Sequence, residues 1–67
     1  MLTNTEMKLI QYHEWNLIFN YSKNKIDVNV QIWYNNDGMI SNFLYIEGSK
    51  ELYNEIVELI KEIYILC

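Results

Sequence analysis

Hydrophobic and polar residues alternate with a period of two over the middle of this chain and switch to a helical period near its end. From Tyr12 to Tyr21, Trp15, Leu17, Phe19 and Tyr21 fall on one side, with Tyr12, Glu14, Asn16, Ile18 and Asn20 on the other. This predicts a half-buried strand. Ser22-Lys23-Asn24-Lys25 is a polar turn, and a second strand follows in which Ile26, Val28, Val30, Ile32 and Tyr34 alternate with Asp27, Asn29, Gln31, Trp33 and Asn35. β-branched residues dominate its apolar side, as a pleated, half-buried surface favours. A hairpin closed by the four-residue turn sets Tyr21 opposite Ile26, Phe19 opposite Val28, Leu17 opposite Val30 and Trp15 opposite Ile32, all apolar on one face.

Asn35-Asn36-Asp37-Gly38 predicts a second hairpin, with Gly38 in the left-handed position after a type I turn. The third strand runs from Met39 to about Glu47. A three-residue loop sends Ile40, Leu44 and Ile46 to the core and Met39, Phe43 and Tyr45 outward; a two-residue loop exchanges the sets. Gly48-Ser49 ends the sheet, with Ser49 as N-cap and Glu51 in the first turn of a helix running from about Lys50 to near the chain end. Leu52, Ile56, Leu59, Ile60 and Ile63 form its apolar stripe, widened by Tyr53, Val57 and Tyr64. Glu51, Glu55, Glu58 and Glu62 stack on the opposite ridge. For residues 1–10 two forms are open: Thr3 followed by Glu6 resembles a capping box and allows a short helix, and an extension of the first strand is equally allowed. The expected architecture is an α+β fold, a three-stranded antiparallel meander packed on one C-terminal helix.

With 67 residues the chain forms one domain, residues 1–67, with room for a modest core. Its hydrophobic content of 51%, its two glycines and its lack of proline describe a folded chain made mostly of regular elements. A single cysteine, Cys67, rules out an internal disulfide. The apolar C-terminal stretch is interrupted by Glu55, Glu58, Lys61 and Glu62, too polar to span a bilayer. With no basic, apolar leader at Met1, the expectation is a cytoplasmic protein without membrane contact.

Charge and chemistry then narrow the function. Five lysines against nine acidic residues give a net charge of −4, and arginine is absent. That argues against direct nucleic-acid binding and for a basic partner. One histidine, His13, and one cysteine do not supply a nucleophile, base and orienting group, nor four ligands for a structural metal. No Gly-rich phosphate loop is present. The expectation is a non-enzymatic protein with no cofactor and no metal.

Two surfaces remain as candidates for binding a protein partner. One is the outer sheet face, where Tyr12, Trp33 and Ile18, with Met39, Phe43 and Tyr45, sit among Asn16, Asn20, Asn29 and Gln31. Aromatics ringed by amides resemble protein-binding hot spots. Coverage by Met7, Leu9 and Ile10 and pairing of two copies as a homodimer are the competing expectations. The other surface is the ridge Glu51, Glu55, Glu58 and Glu62, which could meet a basic groove.

The Asn35-Asn36-Asp37-Gly38 hairpin, the strand through Tyr45-Ile46-Glu47 and the acidic helix from Ser49 resemble the small phage-encoded inhibitors of bacterial defence, the anti-CRISPR class. The likeness runs in pattern from about residue 26 to residue 65. It implies a protein acting in the host cytoplasm that docks on an effector nuclease and blocks its nucleic-acid site or a required movement. Compared with that class, this chain has fewer acidic residues and more outward aromatics. This favours an aromatic-anchored interface over pure phosphate mimicry. The alternative class of function is a small homo-oligomeric structural or adaptor protein.

Overall fold

The structure, a computed structural model, describes residues 5–63. Four strands, β1 (Thr5–Tyr12), β2 (Asn16–Lys23), β3 (Ile26–Tyr34) and β4 (Ile40–Gly48), precede one helix, α1 (Lys50–Ile63). The strands form a single antiparallel sheet in the order β1-β2-β3-β4, and α1 packs on one face over β3 and β4. The α+β class and the C-terminal helix agree with the sequence; the strand count does not. Residues 5–12 form neither a helix nor an extension of the next strand but a fourth strand, reversed onto β2 by a tight turn. In that turn the His13 backbone N–H donates to the Asn16 carbonyl at 2.8 Å. Glu6-Met7-Lys8-Leu9 carries the two-residue alternation of this strand, and an extra residue at Ile10 shifts the register between Leu9 and Gln11. Thr3 and Tyr64 lie outside the described residues.

The β2–β3 hairpin keeps the expected faces with a register two residues away from the expected one: Tyr21 faces Val28, Phe19 faces Val30 and Leu17 faces Ile32. The reason is the turn. Asn24 (φ 53°) and Lys25 (φ 70°) both take left-handed backbone, making a two-residue connection in place of the four-residue one. Both central residues at positive φ is the type I′ geometry, whose twist matches that of paired strands. Ser22 and Lys23 therefore remain in the ladder, opposite Asp27 and Ile26. Trp15 falls in the β1–β2 turn, where its carbonyl accepts from the Tyr34 N–H at 3.0 Å.

The β3–β4 hairpin has the three-residue loop. Asn35 and Met39 flank it, the Asn35 side-chain oxygen accepts from the Asp37 and Met39 N–H groups, and Gly38 sits at φ +77°. Ile40 is buried, as that loop requires. Beyond it neither uniform parity holds, because β4 carries an extra residue twice. Tyr34 faces Ile40 while Trp33 faces Asn42, passing over Ser41; Val30 faces Tyr45 while Asn29 faces Glu47, passing over Ile46. Each extra residue inverts the facing of the residues after it. Phe43 and Tyr45 consequently pack against the core, and Leu44 and Ile46 are exposed.

The core joins Phe19, Tyr21, Val28, Val30, Ile32 and Ile40 of the sheet to Leu52, Ile56 and Ile60 of the helix. Each fully buried aliphatic side chain contributes about 1.5–3 kcal/mol. Ser49 caps the helix, its hydroxyl accepting from the Leu52 N–H at 3.1 Å. Leu59 and Ile63, placed on the apolar stripe by periodicity, are exposed. The helix sits toward β4: Tyr53 meets Tyr45 edge to face, with ring centroids 5.5 Å apart. The opposite flank, at four-residue spacing through Glu55, Leu59 and Ile63, faces β2, as the contact of Glu55 with Lys23 shows.

Candidate functional site

The residues expected to bind a partner separate into four environments. Trp33 lies on the outer sheet face, 39% exposed. Phe43 and Tyr45 lie on the inner face, half-buried against the core. The Tyr45 hydroxyl donates to the Gly48 carbonyl at 2.7 Å, and the Lys50 ammonium stands 4.4 Å from the Tyr45 ring centroid and 4.8 Å from that of Tyr53. Tyr45 is thus engaged in closing the strand-to-helix junction. Tyr12 is also on the inner face, opposite Leu17, because β1 ends there and the chain reverses before β2. Glu51, Glu55, Glu58 and Glu62 are exposed on α1. Glu55 reaches Lys23 at the sheet, whereas Glu51, Glu58 and Glu62 lie away from the buried stripe of α1, on the side of the domain opposite the outer face.

Among the described residues no helix covers the outer face. Strand pairing sets Ile18, Gln31 and Leu44 in one row and Asn16, Trp33 and Asn42 in the next. Trp33, Leu44 (48% exposed) and the half-buried Ile18 therefore surround Gln31. The Gln31 amide is fixed by donating to the Asn16 side-chain oxygen at 2.9 Å, and Asn16 itself is buried. A neighbouring row runs Lys8, Asn20, Asn29, Glu47 across all four strands. In it Asn20 donates to Asn29 at 2.8 Å and to Asp27 at 3.2 Å, and Asn29 donates to Glu47 at 3.3 Å. The amides expected around the aromatics are present and bonded to one another. Their apolar company is Leu44, with Ile46 exposed at the adjacent bulge, where the sequence placed Phe43 and Tyr45.

A second uncovered region lies on the inner face beside the helix. Met7, Leu9 and Tyr12 of β1 stand opposite Tyr21, Phe19 and Leu17, so they point to the side α1 occupies. Among the described residues the main contacts of α1 are with β3 and β4, and all eight residues of β1 are exposed. Leu59 and Ile63 border the same trough from the helix flank. At its end the Tyr34 hydroxyl donates to the His13 carbonyl at 2.9 Å. A hydrogen bond to Tyr12, followed by burial and the charges of Tyr12 and Glu14, raises the Tyr34 pKa above the usual tyrosine value. Periodicity alone hid this region, because Met7 and Leu9 fall in the segment whose form was open.

For chemistry the described residues offer little. No group of three or more His, Cys, Asp or Glu among them could hold a metal ion. His13 is exposed in the β1–β2 turn, its ring against the Gln11 amide; Cys67 lies outside the described residues. A shallow cleft lined by Lys23, Asn24, Ile26, Ser49, Glu51, Leu52 and Glu55 is crossed by the ion pair of Lys23 with Glu55 at 2.5 Å. The hydrogen bond to Glu55 raises the lysine's pKa, against the smaller opposing effect of burial. Among the described residues no helix is long and apolar enough to cross a membrane. The chain matches no protein-family model, no curated protein and no solved structure.

Proposed function

We propose that this chain is a non-enzymatic protein-binding domain that acts as an inhibitor in the host cytoplasm, docking on a nucleic-acid-handling effector in the manner of anti-CRISPR proteins. One observation carries the binding part of this reading: exposed Trp33 and Leu44, with half-buried Ile18, surround Gln31 on a sheet face that no described helix covers, among amides already bonded to one another. An ordered amide surround lowers the entropic cost of docking, and a central tryptophan is the residue type most often found to dominate such interfaces. The Glu51, Glu58 and Glu62 carboxylates on the opposite side supply the electrostatic part, steering the protein toward a basic groove. Glu55 is the least available of the ridge because it pairs with Lys23. The absence of arginine and the net charge of −4 favour a protein partner over direct binding of nucleic acid.

The test is inhibition of DNA cleavage by a panel of purified bacterial RNA-guided nucleases. Trp33→Ala and Leu44→Ala are expected to weaken inhibition by about tenfold or more, the usual size of a hot-spot loss, with the far-ultraviolet circular dichroism spectrum unchanged. Glu58→Lys with Glu62→Lys is expected to slow association and to reduce its dependence on salt. Wild-type protein that neither binds nor inhibits any such nuclease, or inhibition that survives Trp33→Ala and Leu44→Ala together, overturns the reading.

A further inference from the structure

We infer that the first half of β1 pairs antiparallel with the same segment of a second copy of this chain, about a two-fold axis passing through Met7. β1 is one of the two edges of the sheet, and an edge strand presents a row of unpaired backbone N–H and C=O groups to any strand of matching regularity. β4, the other edge, is interrupted twice by extra residues, whereas β1 is interrupted once, beyond Leu9. Thr5–Leu9 is therefore an unbroken run.

The charge pattern selects the axis. Glu6 and Lys8 lie on the same face of β1, their side chains 3.3 Å apart. With the axis at Met7, Glu6 of each copy stands directly opposite Lys8 of the other, and two cross-strand ion pairs form per dimer. An axis at Glu6 sets the two Glu6 carboxylates against each other, and an axis at Lys8 does the same to the two ammonium groups. Like charges directly opposite each other disfavour both registers. The pairing also extends the outer row Lys8, Asn20, Asn29, Glu47 by the Glu6 of the second copy.

The inner face gives the apolar contribution. Met7, 57% exposed, meets Met7 of the second copy on the axis, and Leu9, 64% exposed, meets Thr5. Each copy leaves a trough between β1 and the Leu59–Ile63 flank of its helix. Joined along β1, the two become one channel floored by Met7, Leu9 and Tyr12 from both chains. The outer-face cluster at Trp33 remains open in such a dimer, so this inference and the docking role proposed above stand or fall separately.

Sedimentation equilibrium of the full chain up to millimolar concentration tests the assembly, and the expected species has twice the 8.2 kDa chain mass. Glu6→Lys and Lys8→Glu are each expected to raise the dimer dissociation constant by about tenfold. Combining the two in one chain is expected to restore it. An equimolar mixture of the two single variants is expected to form a heterodimer more readily than either variant pairs with itself. In a Cys67→Ser background, oxidised Met7→Cys is expected to cross-link as a dimer, since residues opposed across antiparallel strands sit within disulfide range. Leu9→Cys is expected to remain uncross-linked, its two copies being about 13 Å apart along the strand. All these side chains are exposed, so circular dichroism should show an unchanged fold. A wild-type chain monomeric at every concentration overturns the proposal, as does a charge-swapped double variant no stronger than the singles. Cross-linking through Leu9→Cys as efficient as through Met7→Cys does so too.

Discussion

Gly48 lies so close to Asp27 that a Cβ on the glycine would stand 2.5 Å from the Asp27 carbonyl oxygen and 2.7 Å from the Val28 Cα. The same Asp27 carbonyl accepts from the Ser49 N–H at 2.9 Å, so the chain leaves β4 and enters α1 pinned against β3. Gly48 also sits at φ +111°, backbone that side chains with a Cβ rarely adopt. Gly48→Ala is expected to cost roughly 2–4 kcal/mol, from backbone strain and overpacking together, read as a large drop in the midpoint of urea denaturation. Gly38, at φ +77° with nothing within 4 Å of an added Cβ, should lose only about 1–2 kcal/mol on the same substitution.

The bulges of β4 predict opposite consequences for adjacent residues. Phe43 packs against the core and Leu44 does not. Phe43→Ala is expected to destabilise by about 2–3 kcal/mol, less than a fully buried phenylalanine because the ring is only half-covered. Leu44→Ala should fall within about 0.5 kcal/mol of wild type. Denaturant titration of the pair checks the assignment, and a reversed ranking would return β4 to an uninterrupted alternation.

Lys25 occupies left-handed backbone, φ 70°, in the two-residue β2–β3 turn, a conformation that favours glycine over a side chain with a Cβ. Lys25→Gly is expected to stabilise the protein by up to about 1 kcal/mol, visible as a higher thermal midpoint. Were the turn the four-residue loop, the same substitution would only add freedom to the unfolded chain and lower stability.

The Tyr12–Tyr34 pair makes the alkaline limb of the stability curve informative. Tyr34 has a folded-state pKa raised above its ordinary 10.0, chiefly by the hydrogen bond with Tyr12. A raised value means that the neutral form is favoured by folding. The stabilisation is complete below the unfolded pKa and disappears as pH rises through the folded one. Tyr12→Phe removes the hydroxyl partner, and the Tyr34 titration followed by NMR of labelled tyrosine is expected to move down toward 10.0. A Tyr34 curve indifferent to Tyr12→Phe would show that burial, not the hydrogen bond, sets the shift.

Much of the fold was readable from residue order. Val28, Val30 and Ile32 form the inner row of β3 because their alternation is uninterrupted, and Ser49 caps the helix because its hydroxyl precedes Leu52 by three residues. The register of the first hairpin was not readable. Asn24-Lys25 lacks the glycine that usually marks a type I′ turn, so the polar run Ser22–Lys25 resembled a longer loop. The faces of Phe43 and Tyr45 were hidden for another reason. A β-bulge adds one residue without a compositional mark, and Ser41 and Ile46 carry none. β1 was obscured by its reversal at His13–Trp15, a turn without glycine, proline or asparagine. Of the expected binding residues, Trp33 and the four glutamates reached the surface because their elements have unbroken periods. Phe43, Tyr45 and Tyr12 did not take the expected face, because each lies near a break in the period.

Extra residues at Ser41 and Ile46 have an effect on size as well as on orientation. A sheet able to accept neighbours along both margins could propagate indefinitely. Here the β4 margin is kinked twice, leaving the straight run of β1 as the better template. Joining two molecules through that run consumes it, so any assembly formed this way terminates as a discrete particle and does not grow into a filament.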